Sequence, residues 1–334
     1  MSIGIGVIGT GIMGSDHART LAGSIKGAAL AAVSDTDAER ASALAAATRA
    51  GRVHADGFAL VADPDVDAVL IASPDPTHED LVLACLSAGK PVLCEKPLSP
   101  SVEGCLRVVA AETALGRRLV QVGFMRRFDP GYRSVRQALL TGQVGAPLLL
   151  HCVHRNASAP ASFDSGMLIS NSAVHEIDIA RWLLEDEIEA VTVFRLPART
   201  SSGLLDPQFL VLETRRGRLV DVEVFVNARY GYDVRAELVC EAGTLTLAPQ
   251  APVRLRSSGQ DSSRVAEDWR AHFAAAYRNQ LQAWVESIAT GVAVGASAWD
   301  GYAATATGAA CLEALRSGTK ATVRMQDRPV LYDG

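Results

Sequence analysis

Ile3-Gly4-Ile5-Gly6-Val7-Ile8-Gly9-Thr10-Gly11-Ile12-Met13-Gly14 runs from a short apolar strand pattern, through a glycine turn, into the start of a helical pattern that continues to about Ala22. In such a G-x-G-x-x-G turn the first glycine makes the tight bend. The second lets a pyrophosphate approach the backbone, and the third allows the helix to pack closely on the strand. The phosphates then lie at the helix N-terminus, where unpaired N–H groups and the helix dipole favour an anion. Glycine-rich turns are common, so the motif alone is weak. Here a second strand, Ala28 to Ser34, ends at Asp35, about 20 residues beyond the turn, where a carboxylate accepts from a ribose 2′-hydroxyl and repels a 2′-phosphate. Strand, turn, helix and acid in register predict dinucleotide binding, with NAD rather than NADP.

The same alternation continues outward from this unit. Asp37 to Thr48 reads helical, Asp67 to Ala72 is a strand, and Thr77 to Ala88 is a helix stopped by Gly89. Pro91 to Cys94 is the next strand, Val102 to Leu115 the next helix, and Leu119 to Val122 one strand more. Apolar strands alternating with helices make a parallel, doubly wound sheet. After about residue 124 the pattern changes. Gly131–Leu140 reads as a helix, Pro147–Val153 as a strand and Asn171–Leu184 as a strongly apolar helix; Ile188 to Arg256 is mostly extended, and helices follow around Glu267–Thr290 and Trp299–Ser317. Phe209–Thr214, Arg218–Val226 and Val234–Cys240 alternate apolar with polar residues, the mark of antiparallel strands with one covered face. The expected fold class is α/β: a Rossmann domain over 1–123, then an α+β domain with a large, mostly antiparallel sheet over 124–334, with a return of the last helix onto the first domain.

The chain has 334 residues, 49% of them hydrophobic, enough for two cored domains, and a net charge of −5 from 32 basic and 37 acidic residues. A mildly acidic surface argues against nucleic acid and against anionic membrane surfaces. No run approaches the roughly 18 apolar residues of a membrane helix, and the N-terminus lacks the basic region of a signal peptide. A cytoplasmic location is expected. Cys85, Cys94, Cys105, Cys152, Cys240 and Cys311 form no C-x-x-C pair, and most sit among apolar neighbours as small core residues.

Two places carry chemistry. Glu95-Lys96-Pro97 directly follows the strand Pro91–Cys94, at the carboxyl end of a parallel strand where open α/β sheets bind ligands. Pro97 keeps Lys96 out of helical geometry. A single lysine is by default a solvated surface group, but this position argues for a role. On the helix beginning at Asn171, the residues Asn171, His175, Asp178 and Trp182 fall within an arc of about 60° at 100° per residue, with Val174, Ile177, Ala180 and Leu184 covering much of the opposite side. A lone histidine on such a helix is more often a hydrogen-bonded core residue, but three polar residues in one stripe weaken that reading. Metal binding is not expected, because His-Glu-x-x-His would need histidine at Ile179.

The glycine turn, Glu-Lys-Pro at 95–97 and His-x-x-Asp at 175–178 resemble, in order and spacing, the Gfo/Idh/MocA family of glucose–fructose oxidoreductase and inositol dehydrogenase relatives. The resemblance spans almost the whole chain. It is strongest to the inositol-oxidising branch, through Gly123-Phe124-Met125-Arg126-Arg127-Phe128-Asp129, His154-Arg155-Asn156 and Tyr230-Gly231-Tyr232-Asp233. It implies NAD-dependent oxidation of a secondary hydroxyl on a cyclitol or sugar by a homo-oligomer, dimer or tetramer. Lys96 would hold the oxygen and His175 move the proton. Cofactor contacts are implied for Gly9, Thr10, Gly11, Ile12, Met13, Gly14, Asp35, Ser73, Pro74, His78, Glu95 and Lys96. Met125, Arg126, Asn156, Asn171, His175, Asp178 and one of Tyr230 or Tyr232 match the polyol-binding set. One departure stands out: the branch commonly has Asp where this chain has Asn171, which can orient His175 but adds no charge. Two other readings are an NADPH-dependent sugar reductase, against which Asp35 argues, and a non-catalytic NAD-binding regulator, which would need neither Lys96 nor His175.

Overall fold

The computed structural model describes residues 2–197, 203–248 and 253–333. Contacts divide the chain into two compact units. Unit 1 comprises Met1–Phe128, Ala275–Thr305 and Gln326–Gly334; unit 2 comprises Asp129–Ala274 and Ala306–Met325.

Unit 1 is built on β1 (Ile3–Ile8), α1 (Ile12–Ser24), β2 (Ala28–Ser34), α2 (Ala38–Thr48), β3 (Arg52–His54), α3 (Gly57–Ala62), β4 (Ala68–Ile71), α4 (His78–Ser87), β5 (Val92–Cys94), α5 (Val102–Leu115) and β6 (Val120–Val122). The six strands are all parallel and lie in the order β3-β2-β1-β4-β5-β6, the doubly wound order whose switch point falls between β1 and β4. The sequence pattern misses β3 and α3, which are only three and six residues long. Caps punctuate the helices: Asp37 accepts from the Arg40 amide, Ser101 from the Gly104 amide, and Gly116 ends α5 in the left-handed region at φ 67°. One face of the sheet packs Ile5, Val7, Val33, Leu70 and Leu93 against Ala18 and Leu21 of α1, and also against Leu281, Trp284 and Val285 from the later part of the chain.

Unit 2 continues with α6 (Pro130–Leu140), β7 (Pro147–Arg155), α7 (Val174–Leu184), β8 (Ile188–Arg195), β9 (Gln208–Thr214), β10 (Leu219–Phe225), β11 (Asp233–Cys240) and β12 (Gly243–Thr246). A separate two-stranded ribbon, β13 (Arg254–Ser257) with β14 (Gln260–Ser263), precedes the short α8 (Trp269–His272). Then follow α9 (Ala274–Thr290), which belongs to unit 1 from Ala275 onward, α10 (Ala298–Ser317), which belongs to unit 1 as far as Thr305 and to unit 2 beyond it, and β15 (Ala321–Thr322) of unit 2. The main sheet has seven strands in the order β12-β11-β7-β10-β9-β8-β15. It is antiparallel except where β10 runs parallel to β7. Its covered face buries Leu150, Cys152, Leu210, Leu212, Val220, Val222, Ala236 and Leu238, the alternate residues of the expected period-2 pattern. Of the long extended stretch expected from Ile188 to Arg256, residues 198–202 and 249–252 lie outside the described residues. The single late helix expected over Glu267–Thr290 is two, α8 and α9, separated at Phe273. All six cysteines are buried free thiols.

Candidate active site

In unit 1 the glycine turn has the geometry its sequence requires. Gly9 lies at φ +88°, and a Cβ there would stand 2.5 Å from the Ala72 carbonyl oxygen and the Ser73 nitrogen. A Cβ on Gly14 would stand 1.8 Å from the Gly9 oxygen, so neither position admits a side chain. A Cβ on Gly11, by contrast, would meet nothing within 4 Å. The space above the turn is open, and α1 begins there without a side-chain cap or an acidic residue in its first turn. That cradle fits a dinucleotide pyrophosphate. Ile12 is exposed and Met13 half-buried at its rim.

Thr10 is buried and donates to Asp35 Oδ2 twice, through its backbone N at 2.6 Å and its Oγ1 at 2.7 Å. Asp35 Oδ1 accepts from the Asp37 amide at 2.9 Å and from the Arg40 guanidinium at 2.7 Å. Burial by itself would raise the Asp35 carboxyl; the bonds from Arg40, Asp37 and Thr10 outweigh it and hold the group well below the usual carboxylate range. The end of β2 therefore carries a fixed anion, with the half-exposed Arg40 side chain resting on it.

Ser73 and Pro74 follow β4, where Ser73 Oγ lies 2.6 Å from Thr77 Oγ1 and Pro74 leads into a 3₁₀ turn over Asp75–Thr77. The buried His78 ring spans from the Ser73 carbonyl (2.9 Å) to the Pro97 carbonyl (2.7 Å). It thus ties the turn after β4 to the Glu-Lys-Pro segment, and both its ring nitrogens face backbone oxygens of this chain.

Glu95 and Lys96 follow the last residue of β5. The Glu95 amide donates to the Ile71 carbonyl at 2.8 Å, and the Gly123 amide to the Cys94 carbonyl at 2.7 Å, so the segment is stitched between the ends of β4 and β6. Burial lowers the Lys96 ammonium below the ordinary lysine range; Glu95 and Asp75 oppose that, and Arg126 adds to it. Met125 and Arg126 lie in a 3₁₀ turn, Met125–Phe128, just after β6, and each is 1% exposed. Glu95 has a buried partner the sequence reading did not single out: His17 Nε2 stands 2.8 Å from Glu95 Oε1.

In unit 2 the chain enters α7 through a π-helical turn, Leu168–Ala173. The helix expected from Asn171 therefore becomes α-helical only at Val174. A π turn closes i→i+5 bonds and accommodates an extra residue, so spacing at 100° per residue does not carry back to Asn171. Asn171 is exposed within the π turn, whereas His175 is 8% exposed and Asp178 fully buried. The expected contrast of an apolar back and a polar front also differs from what is observed. Every residue of α7 is buried except the half-buried Trp182, so His175 and Asp178 face protein rather than water.

His175 stands beside a cluster of rings and charges. His154, on the inner side of β7, places Nδ1 3.1 Å from both Glu176 carboxylate oxygens, with both residues almost wholly buried. The His154 ring centroid is 6.5 Å from that of His175 and 5.7 Å from that of Tyr232, which meets it edge-on. Tyr232 in turn packs on His272 and Phe273. Of the two tyrosines left open by the sequence, Tyr232 joins this cluster. Tyr230 is 48% exposed, and its hydroxyl bonds to Arg155 and Asp233, on the sheet face opposite His154. Asn156, at the end of β7, holds a buried Oδ1 with no hydrogen-bond partner among the described residues. Glu176 was not singled out from sequence because it falls outside the stripe of Asn171, His175, Asp178 and Trp182; His17 lay hidden in the buried face Gly14, His17, Ala18, Leu21 of α1, where a histidine at apolar spacing was the available signal.

Comparison with known proteins agrees with this architecture. The model for the NAD-binding Rossmann fold of an oxidoreductase family matches residues 3–124, and that for the same family's C-terminal alpha/beta domain matches residues 136–324. Inositol 2-dehydrogenase 1 of Saccharopolyspora erythraea is 54% identical over 335 residues, 99% of each chain. Among solved structures, myo-inositol dehydrogenase from Lactobacillus casei in complex with NAD(H) and myo-inositol superposes with a TM-score of 0.96 at 35% identity over the whole of both chains. The scyllo-inositol dehydrogenase of the same organism, with bound NAD(H) and scyllo-inositol, gives 0.91 at 27% identity over 97% of this chain and 99% of the other. A Rossmann unit with an open glycine cradle and a fixed carboxylate at the end of β2, followed by a second domain of the matching kind over nearly the full length, makes this chain a member of the Gfo/Idh/MocA family of NAD-binding oxidoreductases.

Proposed function

We propose that the chain oxidises a secondary hydroxyl of an inositol, or of a closely related cyclitol or pyranose, with NAD as the hydride acceptor. The observation that carries this is the placement of Lys96: it follows the carboxyl end of β5, in the same unit as the open glycine cradle, where burial lowers its ammonium below the ordinary lysine range. A cation fixed at that strand end lowers the energy of charge developing on a substrate oxygen with little reorganisation at the moment of reaction. When bound, the nicotinamide supplies the site that takes up the hydride. Lys96 holds the hydroxyl oxygen, and His175, with a neutral ring, accepts the hydroxyl proton. Asp178 and Asn156 are assigned to the neighbouring hydroxyls of a polyol, and the buried Asn156 Oδ1 supports this as an acceptor awaiting a donor. Met125 and Arg126 are assigned to the same binding set. Asn171 orients the ring of His175 where the family commonly has a carboxylate. Tyr232 is preferred to Tyr230 as the tyrosine of this site.

The test is formation of NADH from a panel of myo-inositol, scyllo-inositol, other cyclitols and pyranoses, run in parallel with NAD and NADP. Turnover with an inositol and NAD is expected. No reduced cofactor with any polyol would remove the dehydrogenase reading, and turnover confined to NADP would remove the cofactor assignment.

A further inference from the structure

We propose that His17, on the helix that opens at the glycine turn, is a positioning residue for Lys96, acting through the buried carboxylate of Glu95. The proposal rests on the reading of Lys96 as the holder of the substrate oxygen. His17 is wholly buried, one α-helical turn beyond Gly14, and its Nε2 reaches Glu95 Oε1 at 2.8 Å. Its other nitrogen, Nδ1, is buried with no hydrogen-bond partner among the described residues. A proton on Nδ1 would be a stranded donor, whereas a lone pair there costs less; the geometry therefore selects the tautomer in which Nε2–H donates to Glu95. The ring is held edge-on against Tyr277, with centroids 5.7 Å apart.

Glu95 is fixed from three sides. His17 takes Oε1, the Lys96 backbone N donates to Oε2 at 3.3 Å, and a Cβ on Gly123 would lie only 2.7 Å from Oε2, so that side is closed by backbone. A carboxylate so confined acts on Lys96 in two ways. It accepts from the lysine's own amide, setting the turn from which the side chain departs, and its negative charge favours the Lys96 ammonium. Asp75 also favours the ammonium, and Arg126 opposes it. Cys94, beside Glu95, is a thiol pushed up by burial and stays neutral. Without the His17 donor, Glu95 keeps one bond from the Lys96 amide and loses the one that sets its rotamer. Lys96 then loses a fixed counter-charge, and its ammonium gives up a proton more readily.

The experiment compares wild type, His17→Leu, His17→Gln and Glu95→Gln in three measurements. NADH binding and thermal melting report the fold and the cofactor site. Steady-state kinetics with myo-inositol and NAD separate kcat from KM. Reductive methylation of Lys96 against pH, read by peptide mass spectrometry, reports the amine independently of any substrate. His17→Leu is expected to bind NADH, to lose tenfold or more in kcat with little change in KM for NAD, and to shift the pH midpoint of Lys96 labelling downward. Glu95→Gln should shift that midpoint the same way. His17→Gln keeps an N–H donor and should recover much of both kcat and midpoint. Wild-type kcat and midpoint in His17→Leu would overturn the proposal, and so would His17→Gln as impaired as His17→Leu. Should His17→Leu fail to fold, an unchanged midpoint in Glu95→Gln overturns it instead. A wild type inert toward every polyol would sink the dehydrogenase reading alone, since the labelling arm still tests the link from His17 to Lys96.

Discussion

At Asp35 a single carboxylate serves two ends. It braces the glycine turn through both donors of Thr10, and it presents negative charge where a ribose 2′-position is read. Asp35→Ser should therefore weaken NAD binding through the loosened turn while relieving repulsion of a 2′-phosphate. It also releases Arg40, whose guanidinium rests on Asp35 and is a ready phosphate partner. The ratio of kcat/KM for NAD to that for NADP is expected to fall at least tenfold; an unchanged ratio would show that Asp35 is only a brace. At Lys96 the expected loss is in turnover. Lys96→Ala should lower kcat by about 10²–10³, the size found for one positioned donor at a developing oxyanion, with NADH affinity nearly intact. Because burial lowers the Lys96 ammonium, it is charged below its folded pKa and neutral above it. The alkaline limb of activity should thus begin at a pH below the ordinary lysine value, and Lys96→Arg, whose charge persists, should push that limb upward. A limb at the same pH in both proteins would assign it to another group.

Among the elements, α7 and the π turn before it carry the residues assigned to the proton step. Oxidation is expected to rise with pH as the His175 ring becomes neutral, and a carboxylate nearby favours imidazolium. Asn171→Asp should move that rise to higher pH, and His175→Ala should flatten it while lowering turnover by about 10²–10⁴. Since Asn171 is exposed, solvent screens the charge and keeps the Asn171→Asp shift smaller than a buried carboxylate would give. Rate against pH for the three proteins checks this, and a pH rise that survives in His175→Ala would transfer the proton to another group. The same elements show what a sequence can convey. The path from Ile3 to Asp35 was legible because each step is local: a strand pattern, a turn that only glycine fits at Gly9 and Gly14, and a helix whose first residues need no cap. Helix α5 could be read to the residue because Ser101 caps it and Gly116 stops it. The π turn could not, since the period of a helix carries no mark of one inserted residue. The parallel pairing of β7 with β10 was equally hidden: it joins segments some 70 residues apart, and alternation reveals which face is covered but not which strand lies alongside.

Across the whole molecule, the face of the seven-stranded sheet opposite His154 carries Phe194, Phe209 and Leu219, each at least 40% exposed, beside the ion pairs His151–Asp221 and Arg155–Glu223. An exposed sheet face mixing large apolar groups with paired charges suits self-association. A homo-oligomer, dimer or tetramer, is the expected state in solution. Phe209→Asp should shift it toward a smaller species in light scattering after gel filtration, and an unaltered mass would place the contact elsewhere. The composition of unit 1 has a consequence of another kind, for birth on the ribosome. Its sheet is complete by Val122, yet Leu281, Trp284 and Val285 are part of its core, Ala296 bridges the edge at Val122, and Tyr332 donates to the buried Glu112. A nascent chain that has delivered every Rossmann strand still leaves part of one face of that sheet uncovered, beside α1 and α2, while more than a hundred further residues emerge. The nucleotide-binding unit, first in the sequence, is thus finished last, and a chain cut short at Ala274 would lack part of the core of its beginning as well as its end.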